Sequence, residues 1–179
     1  MRREIRSPKR WLLALLSIAL LSSIGARADT LSEDDVKAGF IFNFTKYLEW
    51  PDTQADSALV VCSTGVQPLS GKLESLQGRV AQGRTIRVRT QVRSNEWREC
   101  QVLFIDAEEA PRMDTLLRVV AQFPVLTVSD APEFVQAGGI IGLKLRAGRI
   151  RFDINQASAR EAGLKLSSQL LKLAEEVVQ

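Results

Sequence analysis

Val125-Leu126-Thr127-Val128-Ser129-Asp130 opens the stretch that decides the fold. Ala131 to Gly139 follows, then Ile140 to Leu145, Arg146-Ala147-Gly148, Arg149 to Ile154, and a tail ending Ser167-Ser168-Gln169-Leu170-Leu171-Lys172-Leu173-Ala174. The two apolar runs around Arg146-Ala147-Gly148 predict a hairpin with antiparallel pairing. Ile150, Phe152 and Ile154 fall on one side of its second arm, and Arg149, Arg151 and Asp153 on the other. A short helix is expected from Pro132 to Ala137, stopped by Gly138-Gly139. Asn155 caps another over Gln156 to Ala162, closed by Gly163, and a last helix starts at Ser167 or Ser168 and carries its apolar stripe on to Val177 and Val178.

Working upstream, strands and helices alternate. Ala58 to Cys62 and Cys100 to Asp106 are short continuous apolar runs, as in strands covered on both faces. Thr85 to Val92 alternates strictly and predicts a half-exposed or edge strand, with Arg84, Arg87, Arg89 and Arg93 forming a basic, solvated side. Leu69 to Leu76 is a short helix, and a helix opening at Pro111 or Arg112 runs to Val120 with Met113, Leu116, Leu117 and Val120 on one face. The first helix starts at Ser32, with three acids in its first turn and Leu31 set to staple onto Val36. It runs to Glu49 or Trp50, before Pro51, with Val36, Phe40, Phe44 and Leu48 as a core stripe. The fold class is α/β: a single three-layer α/β/α domain, with a mostly parallel sheet of about six strands and a C-terminal antiparallel hairpin.

The first residues carry a basic segment, an apolar run from Trp11 to Leu21, and Ala26-Arg27-Ala28 as a small-x-small cleavage site. We therefore expect residues 1–28 to be a cleaved secretory signal peptide, with residues 29–179 forming the domain in the periplasm. The charge balance changes accordingly. Of 24 Lys+Arg and 21 Asp+Glu, the leader holds six bases and Glu4, leaving 18 bases and 20 acids and a net charge of −2. The pI near 9.1 is thus a property of the leader and gives no support to nucleic-acid binding.

With no histidine in the chain, His-based triads, His metal ligands and imidazole switches are excluded. We expect no metal, no cofactor and no catalytic residues. No phosphate loop, GxSxG elbow or Ser-x-x-Lys motif occurs, so a hydrolase is the weaker class. Cys62 and Cys100 are either one disulfide, closing a loop of about 38 residues and worth about 4 kcal/mol, or two buried thiols. Neighbouring parallel strands would hold a strand end and a strand start apart, so a bond needs local irregularity. Asp106 and Asp130 follow strands at the carboxyl edge where open α/β sheets bind ligands. They are candidate ligand-binding residues, with turn or helix capping as the alternative.

Five motifs in order resemble the YfiR family of periplasmic regulatory proteins: Lys37 to Pro51, Val125 to Asp130, Gly138 to Ile141, Arg151 to Asn155, and Ala162 to Leu171. The resemblance implies a non-enzymatic signalling regulator. It would bind and inhibit the periplasmic sensor domain of an inner-membrane diguanylate cyclase, lowering cyclic-di-GMP and biofilm formation. It further implies a homodimer, relief of repression by an outer-membrane lipoprotein or redox stress, and a disulfide between Cys62 and Cys100, which match one cysteine pair common in the family. A second pair found in some relatives near the hairpin is absent from this sequence. The contact with the partner is expected on the exposed parts of Ser129 to Val135 and the adjoining hairpin, with Pro132, Phe134 and Val135 as apolar anchors and, as the alternative, Phe134 packed into the core. The alternative is a periplasmic small-molecule sensor using Asp106 and Asp130 and acting on a histidine kinase or other receptor.

Overall fold

The computed structural model describes residues 31–51, 58–66 and 68–179; the expected leader and its cleavage site lie outside them. Helix α1 spans Glu33–Phe44. Its start is a reciprocal cap: the Asp35 N–H donates to Ser32 Oγ at 3.2 Å and the Ser32 N–H to Asp35 Oδ2 at 3.0 Å. Leu31 is 76% exposed, so the expected staple onto Val36 is not made.

The helix also ends earlier than the sequence suggests. The Thr45 hydroxyl donates to the Phe42 carbonyl at 2.6 Å, and the chain then turns into the two-residue strand β1, Leu48–Glu49. Strand β1 pairs antiparallel with β9, Lys165–Leu166. Tertiary pairing satisfies that backbone in place of another helical turn. Leu48 is still buried, as its place in the stripe requires.

The main sheet contains β2 (Leu59–Ser63), β3 (Val80–Ala81), β4 (Arg84–Arg89), β5 (Val102–Phe104), β6 (Leu126–Ser129), β7 (Ile141–Arg146), β8 (Arg149–Asn155) and β10 (Glu176–Val178). Their order is β10-β8-β7-β6-β5-β2-β4-β3. Only β7·β8 and β3·β4 are antiparallel within this sheet. From β2 the chain goes to β4 on one side, then crosses to β5 on the other and continues outward through β6 and β7. That reversal is the doubly wound order, with its switch point between β2 and β5.

Among the described residues this sheet has eight strands where about six were expected, the additions being the short edges β3 and β10. The latter corrects the last helix. Helix α5 (Ser168–Leu173) stops at an extended Ala174, and Glu176, Val177 and Val178 pair in parallel with Asp153, Ile154 and Asn155. The outer backbone of β8 needs partners, and β-branched Val177 and Val178 suit a strand better than a helix end.

Side chains alternate across the sheet into two cores. Leu59, Val61, Val102, Phe104, Leu126, Val128, Ile141 and Phe152 face α1, helix α2 (Pro68–Leu73), helix α4 (Gln156–Glu161) and α5. Phe40 and Phe44 of α1 stack against the Phe152 ring, with centroids 5.8 and 5.0 Å away, so the aromatic stripe is core. Cys62, Leu103 and Val125 face the opposite layer, built by the 3-10 turn Ser94–Glu99, helix α3 (Met113–Val120) and the loop after β6. Met113, Leu116, Leu117 and Val120 are the buried residues of α3, as their spacing predicts.

Cys62 and Cys100 form a disulfide with Cα atoms 5.9 Å apart. The difficulty posed by parallel strands dissolves because Cys100 is not in β5. It ends the 3-10 turn two residues earlier and lies over the sheet face onto which Cys62 projects.

The segment after β6 is a succession of turns, where the sequence predicts a helix from Pro132 to Ala137. Glu133 takes φ +57°, which no right-handed helix admits. Phe134 then folds back so closely that a Cβ on Gly139 would lie 2.2 Å from its ring. Gly139 therefore makes room for a core phenylalanine.

Candidate functional site

Two places at the carboxyl side of the sheet carry the residues singled out by sequence. The first is the switch point itself. Thr64 and Gly65 follow β2, Asp106 follows β5 and Asp130 follows β6, so parallel pairing brings all four to one edge. Asp106 and Asp130 border a cleft of about 330 Å³ lined also by Asp34, Pro68, Leu69 and Glu108, among others.

Asp106 is buried at 3% exposure. Its N–H donates to Thr64 Oγ1 at 3.1 Å, and its Oδ2 accepts from the Ser70 hydroxyl at 3.3 Å. Burial raises its pKa above the usual carboxylate value, against the lowering effect of the Ser70 hydroxyl. The charges of Asp130, Glu108 and Glu109 push it further up. Gly65 packs against it: a Cβ there would lie 2.1 Å from Asp106 Oδ2.

Asp130 is held from the same helical layer, by α1. Lys37 of α1 reaches its Oδ2 at 2.7 Å and Glu33 Oε1 at 2.7 Å. Burial works against the charge on Lys37, but the hydrogen bonds it donates to Asp130 and Glu33 outweigh that and hold the ammonium pKa above its ordinary value. The structure thus brings Asp106 and Asp130 to one cleft, and ties each to a structural partner. Sequence reasoning missed Lys37, Ser70 and Gly65, because nothing in their local pattern signals a partner a strand or helix away.

The second place is the groove between the turns at 131–136 and the β7–β8 hairpin, of about 440 Å³. Phe134 and Val135 are each 2% exposed and belong to its base, while Pro132 is exposed at its rim. Of the three residues expected as anchors, Pro132 alone is at the surface; the turn at Glu133 points Phe134 inward, which is the core alternative. The Asn155 Nδ2 donates to the Val135 carbonyl at 2.8 Å, fixing the turn to β8. Across the groove Lys144 Nζ lies 2.7 Å from Asp153 Oδ2 and 3.5 Å from Glu175 Oε2. The basic side expected on β4 is split, with Arg87 and Arg93 exposed and the other two arginines engaged within the fold. Arg84 is buried, with a nitrogen 2.8 Å from the Ala58 carbonyl, and Arg89 pairs with Glu96 and Glu99.

Solved structures with this architecture include a conserved domain protein from Vibrio cholerae O1 biovar eltor str. N16961. It is 14% identical with a TM-score of 0.53, over 82% of this chain and 60% of that one. Another is the ABC domain in complex with L-Trp from Streptococcus pneumoniae, 15% identical with a TM-score of 0.52, over 76% of this chain and 59% of that one. This chain therefore spans about three fifths of the length of each, and at such identities the likeness is one of fold. A family model described as YfiR/HmsC-like matches residues 34–175, from the first turn of α1 to the residue before β10. Fold and family model cover the same body of the chain, and the protein belongs to the YfiR/HmsC-like family.

Proposed function

We propose that this chain is a non-enzymatic periplasmic regulator that binds the periplasmic sensor domain of an inner-membrane diguanylate cyclase and holds it inactive. The observation that carries this is the family match over residues 34–175, which supports a regulator of diguanylate cyclase signalling in general. Residues 1–28 act as the removed leader and residues 29–179 as the exported domain. The protein works as a homodimer, and an outer-membrane lipoprotein relieves the repression.

Repression requires tighter binding to the inactive state of the cyclase than to the active one, because equal affinity shifts no equilibrium. The contact surface we assign is the rim at Pro132 and the adjoining hairpin, with Phe134 and Val135 supporting the rim from beneath. Deletion of the gene should raise cyclic-di-GMP and biofilm, and a tagged periplasmic chain should capture the cyclase. Unchanged cyclic-di-GMP with no cyclase captured defeats the proposal.

A second reading is favoured by the cleft at the switch point, where α/β sheets bind small molecules. There Asp106 and Asp130 would receive an amine or other hydrogen-bond donor, and binding would be relayed to a histidine kinase or other receptor. Calorimetric titration with amino acids and polyamines, on wild type and Asp106→Asn, distinguishes it from protein-only regulation.

A further inference from the structure

We propose that the face of the β7–β8 hairpin bearing Arg146, Arg149 and Arg151 is a docking surface for an acidic segment of a partner protein. This rests on the regulatory reading above and assigns the chemistry of the partner's contact. Cross-strand register sets Lys144 opposite Arg151 and Arg146 opposite Arg149, so four cations share one face of a two-stranded ribbon. Like charges directly opposite one another destabilise a sheet. Lys144 is compensated by Asp153 and Glu175. The three arginines are exposed, and none is ion-paired with a described residue.

The hairpin is otherwise firmly built. Ile150 and Phe152 are in the core, and the outer edge of β8 is paired with β10. The repulsion is therefore held in place on a rigid element and is relieved when carboxylates arrive. A guanidinium offers a planar pair of donors that matches a carboxylate, and three of them along two strands fit an extended run of acids. The groove beside the ribbon favours a protein segment over a lipid surface. It is bordered by Pro132, Phe134 and Gly142 and also by the acids Asp130, Glu133 and Glu176, so it receives the apolar residues of such a chain while the chain's acids stay on the arginine face, a relief that a flat bilayer cannot follow.

The test uses the exported protein purified from the periplasm, as wild type and as Arg146→Glu/Arg149→Glu/Arg151→Glu. The probes are a fluorescein-labelled peptide of repeated Glu-Leu-Glu-Gly and the same peptide with Gln in place of Glu. Wild type should bind the Glu peptide, more weakly as salt rises, and not the Gln peptide. The triple variant should bind about tenfold more weakly or worse, as expected for lost charge complementarity. Arg149→Glu alone should bind more weakly without any fall in melting temperature, which separates docking from a structural role.

Equal binding of the Glu peptide by wild type and triple variant overturns the proposal, as does wild type binding that ignores the Glu-to-Gln change. Arginine-dependent sedimentation with phosphatidylglycerol vesicles, without peptide binding, overturns it in favour of a membrane surface. If the triple variant still captures and represses the cyclase as wild type does, this surface fails while the regulatory role stands. If gene deletion leaves cyclic-di-GMP unchanged and peptide binding still needs the arginines, the regulatory role fails and the surface stands.

Discussion

Lys37 Nζ lies 2.7 Å from Asp130 Oδ2, an ion pair between residues 93 positions apart that fastens α1 to the carboxyl end of β6. Removing the acid leaves a buried ammonium with Glu33 as its one ion-pair partner among the described residues, whereas removing the lysine leaves a carboxylate that water can reach. Asp130→Ala should therefore cost about 2 kcal/mol, and Lys37→Met, which refills the space with an apolar chain, should cost less. Urea unfolding of both variants checks the order. The reverse order would show that the lysine stem, and not its charge, holds the helix.

Gly65 and Asp106 occupy one another's space. Gly65→Ala should destabilise by about 1–3 kcal/mol, because the new Cβ meets the Asp106 carboxylate, whose short side chain is held by burial and by the Ser70 hydroxyl. Asp106→Ala removes the obstacle, so the double variant should be more stable than the sum of the two single losses. Additive losses in a double-mutant cycle would place the cost elsewhere.

Two carboxyls near α1 should respond to acid with opposite signs. Lys72 and then Ser32 hydrogen-bond Asp35 and lower its pKa from 3.8 to about 2. Its contribution is present above pH 3.8 and is lost as pH falls through about 2. Burial raises the pKa of Asp106, so its ionisation imposes a penalty that sets in as pH rises from 3.8 through the raised value. Asp35→Asn should thus lower the melting temperature at pH 7, and Asp106→Asn should raise it, with both differences fading in acid. A thermal series from pH 7 to pH 2 tests both signs at once.

Ala147 and Gly148 form the two-residue tip of the hairpin with φ of +48° and +73°. Both central residues of such a turn are left-handed, which suits Asn-Gly and disfavours alanine. Ala147→Asn should stabilise the protein by about 0.5–1 kcal/mol, read as a higher urea midpoint with an unchanged slope. No gain would mean that the tip relaxes in solution.

The Cys62–Cys100 bond closes a loop with a sequence separation of 38. Replacing both cysteines with alanine should cost up to about 4 kcal/mol, and dithiothreitol should lower the wild-type midpoint while leaving the double variant unaffected. Equal midpoints for oxidised and reduced protein would remove the bond from the account of stability.

Parallel strands buried on both faces, the stripe of α3, the Asn155 cap and the hairpin were legible because each is written in a short window of periodicity or turn chemistry. The candidate site was legible only in part. Asp106 and Asp130 could be placed at strand ends, but their partners Lys37, Ser70 and Gly65 come from other elements. Phe134 shows the same limit. Its window Pro132-Glu133-Phe134-Val135 leaves an exposed anchor and a core ring both open, and a left-handed Glu133 with the space left by Gly139 sends the ring into the core.

Local sequence by itself determined the α/β class, the parallel body of the sheet, the hairpin and its two-faced second arm. It did so because side-chain alternation and capping depend on neighbours within a few residues. Only the tertiary structure decided that α1 stops at Phe44, that Glu176–Val178 leaves a helical pattern to become a strand, and that Cys100 lies over Cys62. In the first two cases unpaired backbone on a distant strand outweighs the weak local preference for another helical turn, and in the third the 3-10 turn sets the approach to the sheet.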